Sequence, residues 1–218
     1  MNNMRKLFTF LALIACGLLS SAPQAKADVC SALVYGNSNL VNNCGFETGS
    51  FSSWTVGGNT ANPGCNYYGV DSFDANSGNY GAYVSQDFFV GKAPVTLSQT
   101  INTTPGLDYL ISFWLEQDTA PTAGYNHAFS ATFGGTTLLT LSPTVAAPGS
   151  VGSFVEYSFE EMATSATTTV QFSFENDDNY WSFDDASVAL APEPSTLFSA
   201  GAALAGLLFL RSRRSLAK

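Results

Sequence analysis

Tyr109-Leu110-Ile111-Ser112-Phe113-Trp114-Leu115 decides the fold. Tyr109, Ile111, Phe113 and Leu115 fall on one side of an extended chain and Leu110, Ser112 and Trp114 on the other, which is the period of two of a half-buried strand. Thr169-Val170-Gln171-Phe172-Ser173-Phe174-Glu175 repeats the pattern, with Val170, Phe172 and Phe174 turned inward. Further strands are predicted over Tyr80 to Ser85, Thr96 to Ile101, Ala128 to Phe133, Phe154 to Phe159 and Ser182 to Val188. Turn signals separate them, among them Asn76-Ser77-Gly78, Thr104-Pro105-Gly106, Gly134-Gly135 and Pro148-Gly149. No amphipathic stretch of helical length interrupts the series. The expected fold is all-β, an antiparallel β-sandwich of jelly-roll type occupying residues 28–190.

The two ends of the 218-residue chain read as processing signals. Arg5 and Lys6 precede an apolar run from Leu7 to Leu19, and Ala25-Lys26-Ala27 supplies the small residues of a cleavage site. This is the pattern of a secretory signal peptide over residues 1–27. The run is shorter than the roughly 20 residues needed to span a bilayer. Leu13-Ile14-Ala15-Cys16 offers acylation of Cys16 as the competing route. At the other end, Ala191-Pro192-Glu193-Pro194-Ser195-Thr196 leads into an apolar segment, residues 197–210, and then Arg211-Ser212-Arg213-Arg214. Prolines detach the segment from the preceding strand, and the arginines hold its end on the cytoplasmic side. A C-terminal transmembrane helix is therefore expected, giving a membrane contact before processing.

Charge narrows the choice of partners. The chain has 8 basic and 17 acidic side chains, with a net charge of −9. Seven of the basic residues lie in the two end segments, so Lys92 alone faces sixteen acids between Asp28 and Leu190. Such a field excludes nucleic acid and disfavours acidic polysaccharides. Cys30, Cys44 and Cys65 remain after the leader is removed, enough for one disulfide with three pairings open. No C-x-x-C spacing suggests a metal site at these cysteines.

Two resemblances add expectations. Pro192-Glu193-Pro194, the apolar helix and the arginine cluster resemble the PEP-CTERM sorting signal of Gram-negative bacteria, over residues 191–218. That resemblance implies an exosortase as processing partner, export to the cell envelope or surface, and association with biofilm matrix. Asn43-Cys44-Gly45-Phe46-Glu47-Thr48-Gly49 with Trp54, Ser77-Gly78-Asn79-Tyr80, Leu97-Ser98-Gln99-Thr100-Ile101, Pro105-Gly106 with Tyr109, and Phe183-Asp184-Asp185-Ala186-Ser187-Val188 resemble the galactose-binding-domain-like jelly rolls. Many carbohydrate-binding modules share that order of motifs.

The second resemblance implies a structural calcium held by Glu47 and Asp184, with Asp185 as the alternative acid. Calcium takes six to eight oxygen ligands and relieves repulsion between neighbouring carboxylates. Asp71, Asp74 and Asn76, or residues 175–178, are a candidate second site, although turn formation explains such clusters more often. A sugar site needs flat aromatic platforms beside polar groups, and Trp54, Tyr67, Tyr68 and Trp114 are the candidate ligand-binding residues. Trp181 and Tyr125 are further aromatics, with Asn66, Gln117 and Asn126 as polar neighbours. Trp114 is the most informative, since it shares its strand face with Ser112 and Glu116. Core packing accounts for Trp54 as well as ligand contact does.

Catalysis has little to rest on. His127 is the sole histidine, no G-x-S-x-G elbow occurs, and Glu160 and Glu161 sit on opposite faces of a predicted strand. A non-catalytic interaction domain is expected, with neutral polysaccharide as the candidate ligand. The alternatives are a structural or adhesive matrix protein without a small-ligand site and, more remotely, a polysaccharide hydrolase.

Overall fold

A computed structural model describes residues 38–58, 60, 68–85, 93–120, 122, 125–141, 151–177 and 179–192. The expected signal peptide, the apolar segment 197–210, Cys30, Cys65, Asn66, Tyr67, Lys92, Glu193 and Pro194 lie outside the described residues. Among those described, no helix is long and apolar enough to cross a membrane.

Ten strands are present: β1 Thr55–Gly58, β2 Tyr68–Asp71, β3 Gly81–Val84, β4 Val95–Asn102, β5 Asp108–Gln117, β6 His127–Phe133, β7 Thr136–Leu141, β8 Val155–Met162, β9 Thr167–Asn176 and β10 Trp181–Leu190. They form two antiparallel sheets, ordered β1-β4-β9-β6-β7 and β2-β3-β10-β5-β8. The predicted sandwich is the observed one. Each of the seven predicted strands has a counterpart, and β1, β2 and β7 are additional.

Alternation builds the core. In β5 and β9 every second residue is buried, including Ile111, Phe113, Leu115, Val170, Phe172 and Phe174. Phenylalanines join the sheets: Phe113 of β5 lies with its ring centroid 5.0 Å from Phe172 of β9 and 5.5 Å from Phe129 of β6. Phe183 of β10 is 4.6 Å from Phe172. Such aromatic pairs each add about 0.5–1.5 kcal/mol beyond the area they bury.

The central strand β10 is buried along almost its whole length on both sides. Beyond Phe183 it has no pairing with β3, and the first described segment takes that edge. Leu40 N–H donates to the Val188 carbonyl at 2.8 Å, and Ala186 N–H donates to the Cys44 carbonyl at 3.1 Å. Asn39 Oδ1 accepts the N–H of Val188, and Gln99 of β4 exchanges two hydrogen bonds with the Asn42 backbone. The segment thus ties the last strand to the opposite sheet. Cys44, fully buried there, is disulfide-bonded, which removes the Cys30–Cys65 pairing from the three open to the sequence.

Candidate functional site

The register of β10 against β5 breaks between Asp184 and Ser187. Asp184 lies opposite Trp114 and Ser187 opposite Ser112, so β10 contributes Asp185 and Ala186 where β5 contributes only Phe113. This is a bulge, and Asp185 takes a left-handed φ of 53° within it. Asp184 and Asp185 are both essentially unexposed, although no lysine or arginine occurs among the described residues.

One loop satisfies them. Asp184 Oδ2 accepts the backbone N–H of Asn76 at 2.8 Å and of Ser77 at 3.0 Å. Asp185 accepts from the Asn76 amide and from the Ser77 hydroxyl, both at 2.8 Å. Glu47 holds the other end of that loop, accepting the N–H groups of Asn79 and Tyr80 at 2.9 and 3.0 Å. Gly78, at φ 65°, is required between them, because a Cβ there would collide with the Glu47 carboxylate. Glu47, Asp184 and Asp185 therefore converge on residues 76–80, as their motif order implies. Burial first, and then the charge of Asp185, push the Asp184 carboxyl up to about 8 despite the amides that favour its ionised form.

The donors suit calcium in kind, since all are oxygens, and two adjacent buried carboxylates call for positive charge. Number is the weaker point. Among the described residues no three His, Cys, Asp or Glu side chains are grouped to hold a metal, so carbonyls and water would have to complete any shell.

The outer face of the same sheet presents a second arrangement. Trp114 and Glu116 point outward from β5 and are half-buried. Across the strands, Glu116 aligns with Ser182 and Tyr83, while Trp114 aligns with Asp184 on one side and Glu156 on the other. The Ser182 hydroxyl bonds Asp74, and Asp118 Oδ1 lies 3.1 Å from it. Burial raises the Asp74 carboxyl to about 7, with Asp71 and Asp118 adding repulsion against the Ser182 hydrogen bond. Burial likewise raises Asp118 and Glu116, and the charge of Asp118 adds to the shift at Glu116. Tyr83 meets Tyr180 edge-on beside this group, 5.3 Å between centroids. Asp71 caps the N–H groups of Phe73 and Asp74, and Phe73 projects from that turn 93% exposed. The turn reading of Asp71 is the observed one.

Several expected ligand residues are placed elsewhere. Trp54 is buried, stacked on Phe46 at 5.7 Å with its indole N–H on the Asn43 carbonyl, so it is a core residue and presents no platform. Tyr68 points inward from β2 and packs against Phe51 at 6.0 Å, because its strand position pairs with the buried Val84. Trp181 is fully buried, its indole N–H on the Glu175 carbonyl. Gln117 is also fully buried and faces His127, its amide nitrogen 3.3 Å from Nδ1, so neither reaches the surface. Glu160 is exposed and Glu161 half-buried on the opposite face of β8.

Trp114 and its neighbour Glu116 are where strand alternation puts them. Tyr83, Asp118, Ser182 and Phe73 were missed. Carrying the alternation of β5 to Asp118 and that of β10 back to Ser182 would have found two of them.

Two hollows of about 130 and 200 Å³ lie away from Trp114, one lined by Leu107, Asp108, Glu160 and Leu190, the other by Pro94, Ser130, Thr140 and Glu175.

Residues 190–214 match the PEP-CTERM protein-sorting motif, so the chain carries that signal. No curated protein sequence matches it. Among solved structures the fold is similar to that of TmCBM61, determined in complex with β-1,4-galactotriose, with a TM-score of 0.51 and 19% identity over 70% of this chain and 99% of that one. A family 16 carbohydrate-binding module gives a TM-score of 0.47 at 14% identity, covering 69% of this chain and 99% of that one. The adhesin domain of Lys-gingipain from Porphyromonas gingivalis gives 0.49 at 14%, covering 68% and 96%. The chain thus carries a PEP-CTERM sorting motif at residues 190–214, and its sandwich has a fold like that of TmCBM61.

Proposed function

We propose that this is an exported, exosortase-processed envelope or matrix protein whose β2-β3-β10-β5-β8 sheet binds a carbohydrate chain on its outer face. The observation that carries the reading is Trp114, half-exposed at the middle of a sheet whose Phe113, Trp181 and Phe183 are turned into the core. An indole there offers an apolar plane for the C–H face of a sugar, and Glu116 and Glu156 beside it accept hydrogen bonds from hydroxyls. The sugar complex of TmCBM61 supports the reading by likeness of fold alone. Affinity electrophoresis of the protein in gels of neutral polysaccharides tests it. Retardation by at least one polymer, lost in Trp114→Ala with the melting temperature retained, is the expected result. Equal mobility in every gel would leave a structural or adhesive role for the domain.

Two further parts of the proposal have their own tests. Deleting residues 191–218 is expected to stop release to the surface, and unchanged surface display would end the sorting claim. A calcium ion at Glu47 and Asp184, with Asp185 as the alternative acid and carbonyls and water completing the shell, would neutralise the buried charge and pin the 76–80 loop. Melting is then expected to rise with calcium and to lose that rise in Glu47→Gln and Asp184→Asn, because a ligand bound only to the native state stabilises it by mass action. Identical melting with and without calcium would remove the ion.

A further inference from the structure

Resting on that reading of the Trp114 face, we infer that the carbohydrate it selects bears free amino groups: the ligand is a polymer containing deacetylated hexosamine, protonated near neutral pH. The argument is one of complementarity between a surface and its occupant. The face has an aromatic centre, Trp114, with Glu156 beside it in the same row and Glu116 in the adjoining one. Asp118 and Asp74 converge on Ser182 at its upper border, where Tyr83 and Tyr180 meet edge-on; Asp74, protonated up to about 7, contributes a hydrogen-bonding group there and no charge at the pH of the test. No lysine or arginine is present among the described residues to neutralise these acids internally.

A neutral sugar would satisfy the indole and some acceptors. It would leave the carboxylates partly desolvated beneath it without a counter-charge, which is the expensive way to cover them. An ammonium group supplies both the charge and three donors to a surface made of acceptors, and aromatic faces beside it add a cation–π attraction. An acidic glycan is disfavoured by the same field. The opposite outer face shows that the fold does not require this chemistry: its central rows carry Thr96, Ser173 and Ser130, then Ser98, Gln171 and Thr132. Acids are concentrated where the exposed indole is.

The test compares two probes of one backbone, a β-1,4-linked glucosamine hexamer and its fully N-acetylated form, titrated into the purified protein at about pH 6. The amine form is expected to bind about tenfold more tightly, the scale of one charge-assisted contact. Glu116→Gln with Glu156→Gln should reduce that preference to about threefold or less. A charge-matched pair at the far end of the sheet, Asp108→Asn with Glu160→Gln, should leave it unchanged, which separates local recognition from the attraction of any acidic protein for any polycation. Equal affinity for the two hexamers would overturn the amine preference while leaving carbohydrate binding in place. Equal losses in the two variant pairs would also overturn it, assigning the preference to net charge. No binding of either hexamer, or of any neutral polymer in the gels, would remove the carbohydrate reading itself.

Discussion

The two outer faces of the sandwich are built on the same inner pattern and differ in the aromatic and acidic side chains they carry. On the β1-β4-β9-β6-β7 sheet the central outward rows are hydroxyls and amides, with Glu175 beyond them on β9, and Thr100 meets Thr169 across the strands at 2.9 Å. On the β2-β3-β10-β5-β8 sheet they are an indole, a tyrosine pair and carboxylates, several of them raised in pKa by burial. Cross-strand threonines are what a solvated sheet uses for its own stability. Clustered acids with no lysine or arginine among the described residues oppose folding, and on the proposed reading they lie on the face that binds.

The comparison is broken most completely from below. Phe113→Ala removes the ring that touches Phe172, Phe129 and Phe183, and it should cost about 3–5 kcal/mol and abolish the distinction between faces, as measured by urea unfolding. Next in size, Trp114→Ala should weaken carbohydrate binding by about tenfold or more, the scale of an aromatic anchor. Thr132→Ala on the other sheet should leave binding unchanged. Comparable losses in both would show that the faces do not differ in function.

Titration sharpens the contrast. Asp184 and Asp74 are protonated in the folded state up to about 8 and about 7, against 3.8 for the ordinary carboxyl. Between those limits the native state holds more protons than the unfolded chain, so stability is full below pH 4 as far as these groups are concerned and falls as pH rises through about 7 to 8. Calcium-free protein should therefore melt lower at pH 8.5 than at pH 5.5, and Asp74→Asn should flatten part of that slope. A melting temperature independent of pH in this range would contradict the assignment. The smallest effect is expected from Thr100→Ala, about 0.2–1 kcal/mol by chemical denaturation and no change in binding.

Much of this was legible in the chain because strict alternation leaves little freedom. Residues 108–117 and 167–176 can bury their aromatic set in only one phase, and that phase also turns Trp114 outward. The strands Thr55–Gly58 and Tyr68–Asp71 were not legible: they are short, glycine-containing and at sheet edges, where partners rather than propensity define them. The same limit explains Trp54. Its burial depends on Phe172 and Phe183 arriving from distant parts of the sequence, which no local pattern around residue 54 records. The grouping of Glu47 with Asp184 and Asp185 became visible only through motif order, because its connector is a loop more than a hundred residues from the aspartates.

Strand β10 occupies the middle of its sheet and runs directly into the sorting segment, with Ala191 N–H still bonded to the Asp108 carbonyl. Tension between a ligand at Trp114 and a tail fixed at the envelope would pass from β5 to β10 across a single ladder. Its hydrogen bonds lie perpendicular to the pull and carry the load together, as rivets do in a lap joint. A tether joined to an edge strand would instead peel one bond at a time. A tether at the sorting segment would thus enter the domain through a strand paired on both sides, one strand from the face proposed to bind.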